Sequence, residues 1–352
     1  MSAQTPADLG FRMPAEWDPH ERTWMVFPGT RSIGPNPKDQ QDPELRRCRE
    51  IWVRIANTIA RYEPVTMLAD PVDASLARSL LSERVSIEER PVDDAWMRDV
   101  GPTFLTDGNG ELAATGWTFN GWGQRPWASA HHSRHHAQQV AELARAHFFT
   151  SPLVNEGGAI HVDGEGTVLL TTTVQLDPHR NPGWTKELVE QEVHAHLGTR
   201  KAIWVPRGLT ADYAGYSTRG HIDLLAAFVA PGVVVVHDQD DPTHPDHTVS
   251  QETLRLLQAA TDAQGRPLRV IPLPAPHVQY HSDGELADFT YLNHYLANGA
   301  VILCAFDDPR DEEAAQVFQD LFPERTVELV DCRGIFPYGG AIHCITQQQP
   351  TP

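Results

Sequence analysis

The chain has 352 residues, with 28 basic against 47 acidic side chains and a formal net charge of −19. Forty per cent hydrophobic residues and nine Trp supply a packed core and exclude disorder for most of the chain, while the acidic balance excludes a phosphate-neutralising surface for nucleic acid. Four cysteines (Cys48, Cys304, Cys332 and Cys344) without CxxC spacing form no disulfide scaffold.

The N-terminal MSAQTPADLG lacks the basic and apolar regions of a signal peptide, so a cytoplasmic protein is expected. The Pro-rich stretch 28–43 reads as a surface loop. Apolar residues recurring every three or four positions then predict amphipathic helices over 43–62, 74–85, 135–148, 186–198, 250–264 and 310–322, as with Ile51, Ile55 and Ile59 in the first. Strand pairs joined by Gly turns are predicted over 101–117, 157–172, 221–238 and 291–306, with DGNG, DGEG, APG and ANG as the turns. The longest apolar run, Leu224 to Val236, is 13 residues and contains Pro231 and Gly232, so it cannot cross a membrane as a helix.

The pentapeptide GGAIH occurs at 157–161 and again at 339–343, and both copies are expected to open a strand. With the hairpins this implies an internal repeat of strand, turn, strand and helix at roughly 50–70 residues, about five of which fit the chain. A radial architecture follows. Singly wound βαβ units would need long crossovers in place of hairpins. No linker divides the chain, so one domain over 1–352 is expected.

Cys344, in GGAIHCIT, follows a Gly pair that permits close backbone approach. On an extended strand His343 would face away from it. The competing reading of Cys344 is a buried structural cysteine. His221 and Asp223, two apart in RGHIDLL, would share a strand face and suit acid–base work on a cationic substrate, or form a structural pair. Asp99 closes DDAWMRD, where it could simply cap a turn; Arg98 should point away from it. Glu156 precedes the first GGAIH copy, where an exposed turn carboxylate is the alternative. HHSRHH (131–136) and HDQDDPTHPDH (237–247) lack a third ligand at zinc spacing and EF-hand spacing respectively, and read as a solvated helix start and a loop.

At these residues the chain resembles the agmatine deiminases of the guanidino-group-modifying pentein superfamily. The motifs are MPAEWDPHERTWMVFP (13–28), DAWMRDVGPTF (94–104), NEGGAIHVDGEGTVLLTT (155–172), RNP (180–182), WVPRGL (204–209), GHID (220–223), YLNHYLANGAVILCAF (291–306) and IHCITQQQP (342–350). The resemblance implies a five-bladed pseudo-fivefold α/β propeller of ββαβ units and a cysteine hydrolase without metal or cofactor. It implies Cys344 as nucleophile, His221 as acid and base, Glu156 as support for the histidine, and Asp99 and Asp223 as the grip on a guanidinium. Trp96 and Trp122 would wall the slot or pack in the core. The implied reaction takes agmatine to N-carbamoylputrescine and ammonia through a covalent thiouronium, in putrescine metabolism. Arginine, peptidylarginine or another guanidino compound is the alternative substrate, and a non-catalytic ligand-binding propeller is the alternative class. A small cationic guanidino molecule is the expected partner, with no nucleic acid and no membrane; a homo-oligomer is left open. The chain departs from the family pattern at Ala341, where Asn is frequent. It also departs at Ser217, Thr218 and Arg219, where acidic residues that could meet agmatine's distal amine are frequent.

Overall fold

The computed structural model describes residues 4–30, 32, 39–277, 280–281 and 284–352. Residues 31 and 33–38 of the Pro-rich 28–43 stretch therefore lie outside the described residues.

Each repeat folds as two strands, a helix and a third strand. In the first sheet β1 (His20–Val26) leads through the helix Pro43–Ile59 to β2 (Val65–Ala69), then through the helix Ala74–Leu80 to β3 (Val85–Glu89), all parallel. Asp42 caps the first helix by accepting from the amides of Glu44 and Leu45, and Pro43 occupies its first turn. Its stripe Cys48, Ile51, Trp52, Ile55 and Ile59 is buried.

The other four sheets share one plan: an antiparallel hairpin whose second strand pairs in parallel with the strand after the helix. They are β4 (Thr103–Thr106), β5 (Leu112–Thr118) and β6 (His147–Val154); β7 (Ile160–Val162), β8 (Thr167–Thr171) and β9 (Lys201–Val205); β10 (Ala226–Ala230), β11 (Val233–Asp238) and β12 (Arg269–Pro274); and β13 (Tyr295–Ala297), β14 (Ala300–Ala305) and β15 (Thr326–Asp331). The helices His136–Leu143, Lys186–Leu197, Pro245–Gln258 and Arg310–Leu321 make the crossovers. Finally β16 (Gln347–Pro350) pairs antiparallel with β1, Trp24 opposite Gln347, and supplies the first blade with the hairpin partner the others have. The five-bladed α/β propeller is thus closed by the end of the chain on its beginning.

All four predicted hairpins and all six helices are present, with shifted ends. The helix expected at 250–264 starts at Pro245, because His244 caps it through Asp246 N and proline suits the first turn. Among the described residues no helix is long and apolar enough to cross a membrane; the run 224–236 is mostly the β10–β11 hairpin.

Candidate active site

The two GGAIH copies meet at the ring centre, but only the first leads into a strand. Gly157–Ala159 form a single 3₁₀ turn before β7. The second copy turns instead, and extended structure resumes only at Gln347. The turn is imposed by Asn293, whose Oδ1 accepts from the amides of Ala341 (2.9 Å), His343 (3.1 Å) and Cys344 (3.4 Å). The alternation expected of His343 and Cys344 on a strand therefore does not apply. Glycine is required in both copies: a Cβ on Gly340 would stand 2.5 Å from Cys344 Sγ, and one on Gly158 2.6 Å from His221 Nδ1.

His221 and Asp223 also lie off a strand. They flank the start of a 3₁₀ turn, Ile222–Leu224, and still sit side by side, with His221 Nδ1 3.9 Å from Asp223 Oδ1. The preceding loop wraps the buried Asp212 carboxylate, which accepts from the amides of Thr218, Gly220 and His221. Asp99 is on a short helix, Met97–Val100, from which Arg98 points elsewhere, toward Glu16 and the His343 carbonyl.

These elements bring Cys344, His221, Glu156, Asp99 and Asp223 together, all buried. His221 Nε2 lies 3.2 Å from Glu156 Oε2, and its Nδ1 lies 3.8 Å from Asp99 Oδ1. Glu156 is held by Arg180 Nε at 3.0 and 3.1 Å. Asp99 accepts from Trp122 Nε1 (2.8 Å) and Gly158 N (3.1 Å). Asp223 Oδ2 lies 2.8 Å from His343 Nδ1 and 3.6 Å from Cys344 Sγ. Two polar atoms in this cluster, His221 Nδ1 and Asp223 Oδ1, are buried with no hydrogen-bond partner among the described residues. Such atoms cost free energy unless a ligand satisfies them.

The charges are set by this crowding. Burial would depress His221, but Asp99, Glu156 and Asp223 raise it to about 9, so the imidazole is protonated at neutral pH. Burial, then the charges of Glu156 and Asp223, lifts Asp99 to about 6 against the nearby His221. Burial followed by Asp223 and Asp99 holds the Cys344 thiol well above its ordinary range, against the Asn293 Nδ2–H donated to Sγ at 3.2 Å.

Above the cluster a narrow pocket is lined by Trp96, Asp99, Trp122, Trp127, Tyr216 and Tyr338, with Ser217 and Thr218 beside them. Trp96 and Trp122 line it and also pack: Trp96 sits edge-on to Trp52 at 5.4 Å, and Trp122 stacks on Trp127 at 5.1 Å. Trp122 holds a left-handed backbone (φ 52°), unusual for a bulky residue, in the conformation that lets its indole reach Asp99. Arg219 does not line the pocket; it pairs with Asp177 at 3.2 Å.

Sequence reasoning missed the layer beneath. His343 bridges Asp223 to Glu16 (2.9 Å), which also meets Arg98 and His161, the histidine of the other GGAIH copy. Glu16, Arg180 and Asn293 all stood in quoted motifs, but nothing local marked their partners, which are far away in the chain. The HHSRHH stretch starts a helix: Asp93 accepts from the amides of His132 and Ser133, and His136 is buried against the Pro91 carbonyl.

A closed propeller of five ββαβ blades with a cysteine, a histidine and carboxylates at its axis is the architecture of the guanidino-modifying pentein enzymes. The family model described as Porphyromonas-type peptidyl-arginine deiminase matches residues 12–350, and the chain belongs to that family of hydrolases acting on carbon–nitrogen bonds. Among its relatives, a Streptomyces avermitilis protein provisionally named agmatine deiminase is 60% identical, covering 98% of this chain and 99% of its own. The agmatine deiminase of Stutzerimonas stutzeri is 38% identical over 99% and 98%. A solved agmatine deiminase of Enterococcus faecalis, 30% identical, superposes with a TM-score of 0.91 over 100% of this chain and 99% of that one.

Proposed function

We propose that the chain deiminates agmatine to N-carbamoylputrescine and ammonia, with Cys344 as nucleophile. The observation that carries this is the pair of unsatisfied buried atoms, Asp223 Oδ1 and His221 Nδ1, beside Cys344 Sγ at the floor of an aromatic slot. The names of the relatives support the choice of agmatine.

A guanidinium is planar and cationic, and carboxylates bind its N–H groups through charge-assisted hydrogen bonds. Asp223 Oδ1 and the Asp99 carboxylate take the guanidinium, and the indoles of Trp96 and Trp122 wall its plane and alkyl chain. The bound cation offsets the two carboxylate charges that help hold the thiol protonated, so substrate itself favours the thiolate; the thiol proton leaves to solvent and ends on the released ammonia as ammonium. Sulfur then attacks the guanidinium carbon and a C–S bond forms. The proton on His221 Nδ1 goes to the departing nitrogen, the C–N bond breaks, and ammonia leaves a covalent S-alkylthiouronium. Neutral His221, oriented through Nε2 by Glu156, takes a proton from water as the oxygen attacks. Collapse breaks the C–S bond, releasing the urea and returning the proton to sulfur.

The test is release of ammonia and a ureido product from agmatine by wild type and Cys344→Ser. We expect turnover in the first and none in the folded variant, because an alkoxide is far harder to form than a thiolate. Undiminished turnover by Cys344→Ser with native circular dichroism would remove the nucleophile assignment.

A further inference from the structure

The segment that carries Trp122 into the slot has a backbone that most side chains avoid. Gly121, Trp122, Gly123 and Gln124 all have positive φ, at 75°, 52°, 82° and 60°, and together make a left-handed turn. Left-handed backbone is costly for any residue larger than glycine, and Trp122 and Gln124 both meet that cost. Such a turn persists only where its surroundings hold it.

Asn120 supplies the hold. Its Oδ1 accepts from Gly123 N at 2.8 Å and its carbonyl accepts from Gln124 N at 3.2 Å, so the turn closes on this residue through side chain and backbone together. Its Nδ2 donates to the His179 carbonyl at 2.9 Å. His179 belongs to the turn that starts at Asp177 and carries Arg180, the residue that holds Glu156. Gly123 sits directly on that turn, close enough that a Cβ would stand 3.1 Å from Asp177 Oδ2.

The outcome is the position of one N–H. Trp122 Nε1 donates to Asp99 Oδ2 at 2.8 Å, while Gly158 N donates to Oδ1, and the two donors together fix the rotation of the carboxylate. Asn120 therefore stands between the carboxylates on either side of His221. It reaches Asp99 through Trp122 and Glu156 through the turn at 177–180, although it does not line the slot.

From this geometry we infer that Asn120 is a positioning residue for the reaction: it holds the left-handed turn that puts the Trp122 N–H on Asp99, and so sets that carboxylate for a guanidinium. The inference rests on the reading of Asp99 as a ligand of the guanidinium. An N–H donated to a carboxylate favours the ionised form. Asp99 titrates at about 6 with the indole in place, so loss of the indole moves it upward, and the acid limb of activity moves with it.

The test is ammonia release from agmatine against pH by wild type, Asn120→Ala, Trp122→Phe and the double variant. Phe keeps a ring in the stack with Trp127 and removes the N–H. In Asn120→Ala, kcat/KM near pH 7 should fall about tenfold. The acid limb should rise by about half a pH unit or more, as in Trp122→Phe. Adding Asn120→Ala to Trp122→Phe should move the limb no further, because both act on one contact. Trp122 and Trp127 stack at 5.1 Å, so Asn120→Ala should also lose the indole–indole circular dichroism signal that Trp122→Phe loses. Should Asn120→Ala fail to fold, Asn120→Ser, which keeps a shorter acceptor for Gly123 N, is read in the same way. A folded Asn120 variant with the wild-type acid limb and an intact indole signal would overturn the inference and leave the deiminase reading standing. So would shifts that add in the double variant. Failure of folded wild type to release ammonia from agmatine would remove the deiminase reading and this inference with it.

Discussion

Asn293→Asp exchanges one NH2 for an oxygen and leaves the shape of the side chain unchanged. Oδ1 still collects the amides of Ala341, His343 and Cys344, and these N–H groups keep the new carboxylate ionised. The atom that changes is the one 3.2 Å from Cys344 Sγ, where a donor becomes a negative charge. At that 3.2 Å separation and an effective dielectric of about 20, two unit charges repel by up to about 5 kcal/mol. That corresponds to raising the thiol by ~3–4 pH units beyond its already elevated position. The assay is the rate of alkylation by iodoacetamide against pH, followed by peptide mapping. All four cysteines are buried, so the mapping is what separates Cys344 from Cys48, Cys304 and Cys332. Alkylation of Cys344 near pH 8 should slow at least a hundredfold, kcat/KM for agmatine should fall with it, and the far-UV spectrum should not change. A folded Asn293→Asp protein alkylated at the wild-type rate would refute the role given to the Asn293 donor.

Arg219→Ala should leave the agmatine KM within about twofold, because the side chain is 37% exposed and pairs with Asp177 rather than the substrate; a tenfold lower KM would place Arg219 in the slot. His221 titrates at about 9 in the folded chain, against ~6.5 unfolded. Its contribution to stability is therefore complete below about pH 6.5 and lost as the pH rises through about 9. The thermal midpoint should fall between pH 7 and 9.5, more shallowly in His221→Gln, and equal slopes in the two proteins would count against a charged His221. Glu156→Gln removes the carboxylate 3.2 Å from His221 Nε2, so the alkaline limb of the kcat/KM profile should move down by about one pH unit or more. An unmoved limb would separate Glu156 from the titrating histidine.

Legibility in the sequence followed the range of the interaction involved. Helices such as Pro43–Ile59 and hairpins such as β10–β11 are written in local periodicity and turn residues, and their repetition gave the blade count. The residues gathered around Cys344 could be proposed only through motifs, since Asp99 and Asp223 lie on different blades. What failed was extrapolation of strand geometry through the site. His343 and Cys344, and likewise His221 and Asp223, sit in turns that exist because buried acceptors, Asn293 Oδ1 and the Asp212 carboxylate, pull successive amides inward. An acceptor distant in sequence leaves no periodic signature beside the residues it bends. The same holds for Asn120, whose link to the His179 carbonyl spans 59 positions.

Pairing β16 with β1 has a consequence for biosynthesis. A ribosome working from the N-terminus completes four of the five sheets before it has made Cys344, and β1 spends that time without its antiparallel neighbour. At roughly 5–20 residues per second the interval between emergence of β1 and arrival of β16 is tens of seconds. During it the nascent chain exposes a strand edge, a hazard for mispairing, yet holds no thiol at the ring centre. Cys344 arrives three residues ahead of the strand that shuts the ring, so under the proposed mechanism catalytic competence and topological closure are acquired in one late event. With Cys344 as the proposed nucleophile, a chain released at any point before residue 344 is expected to be inert toward guanidines.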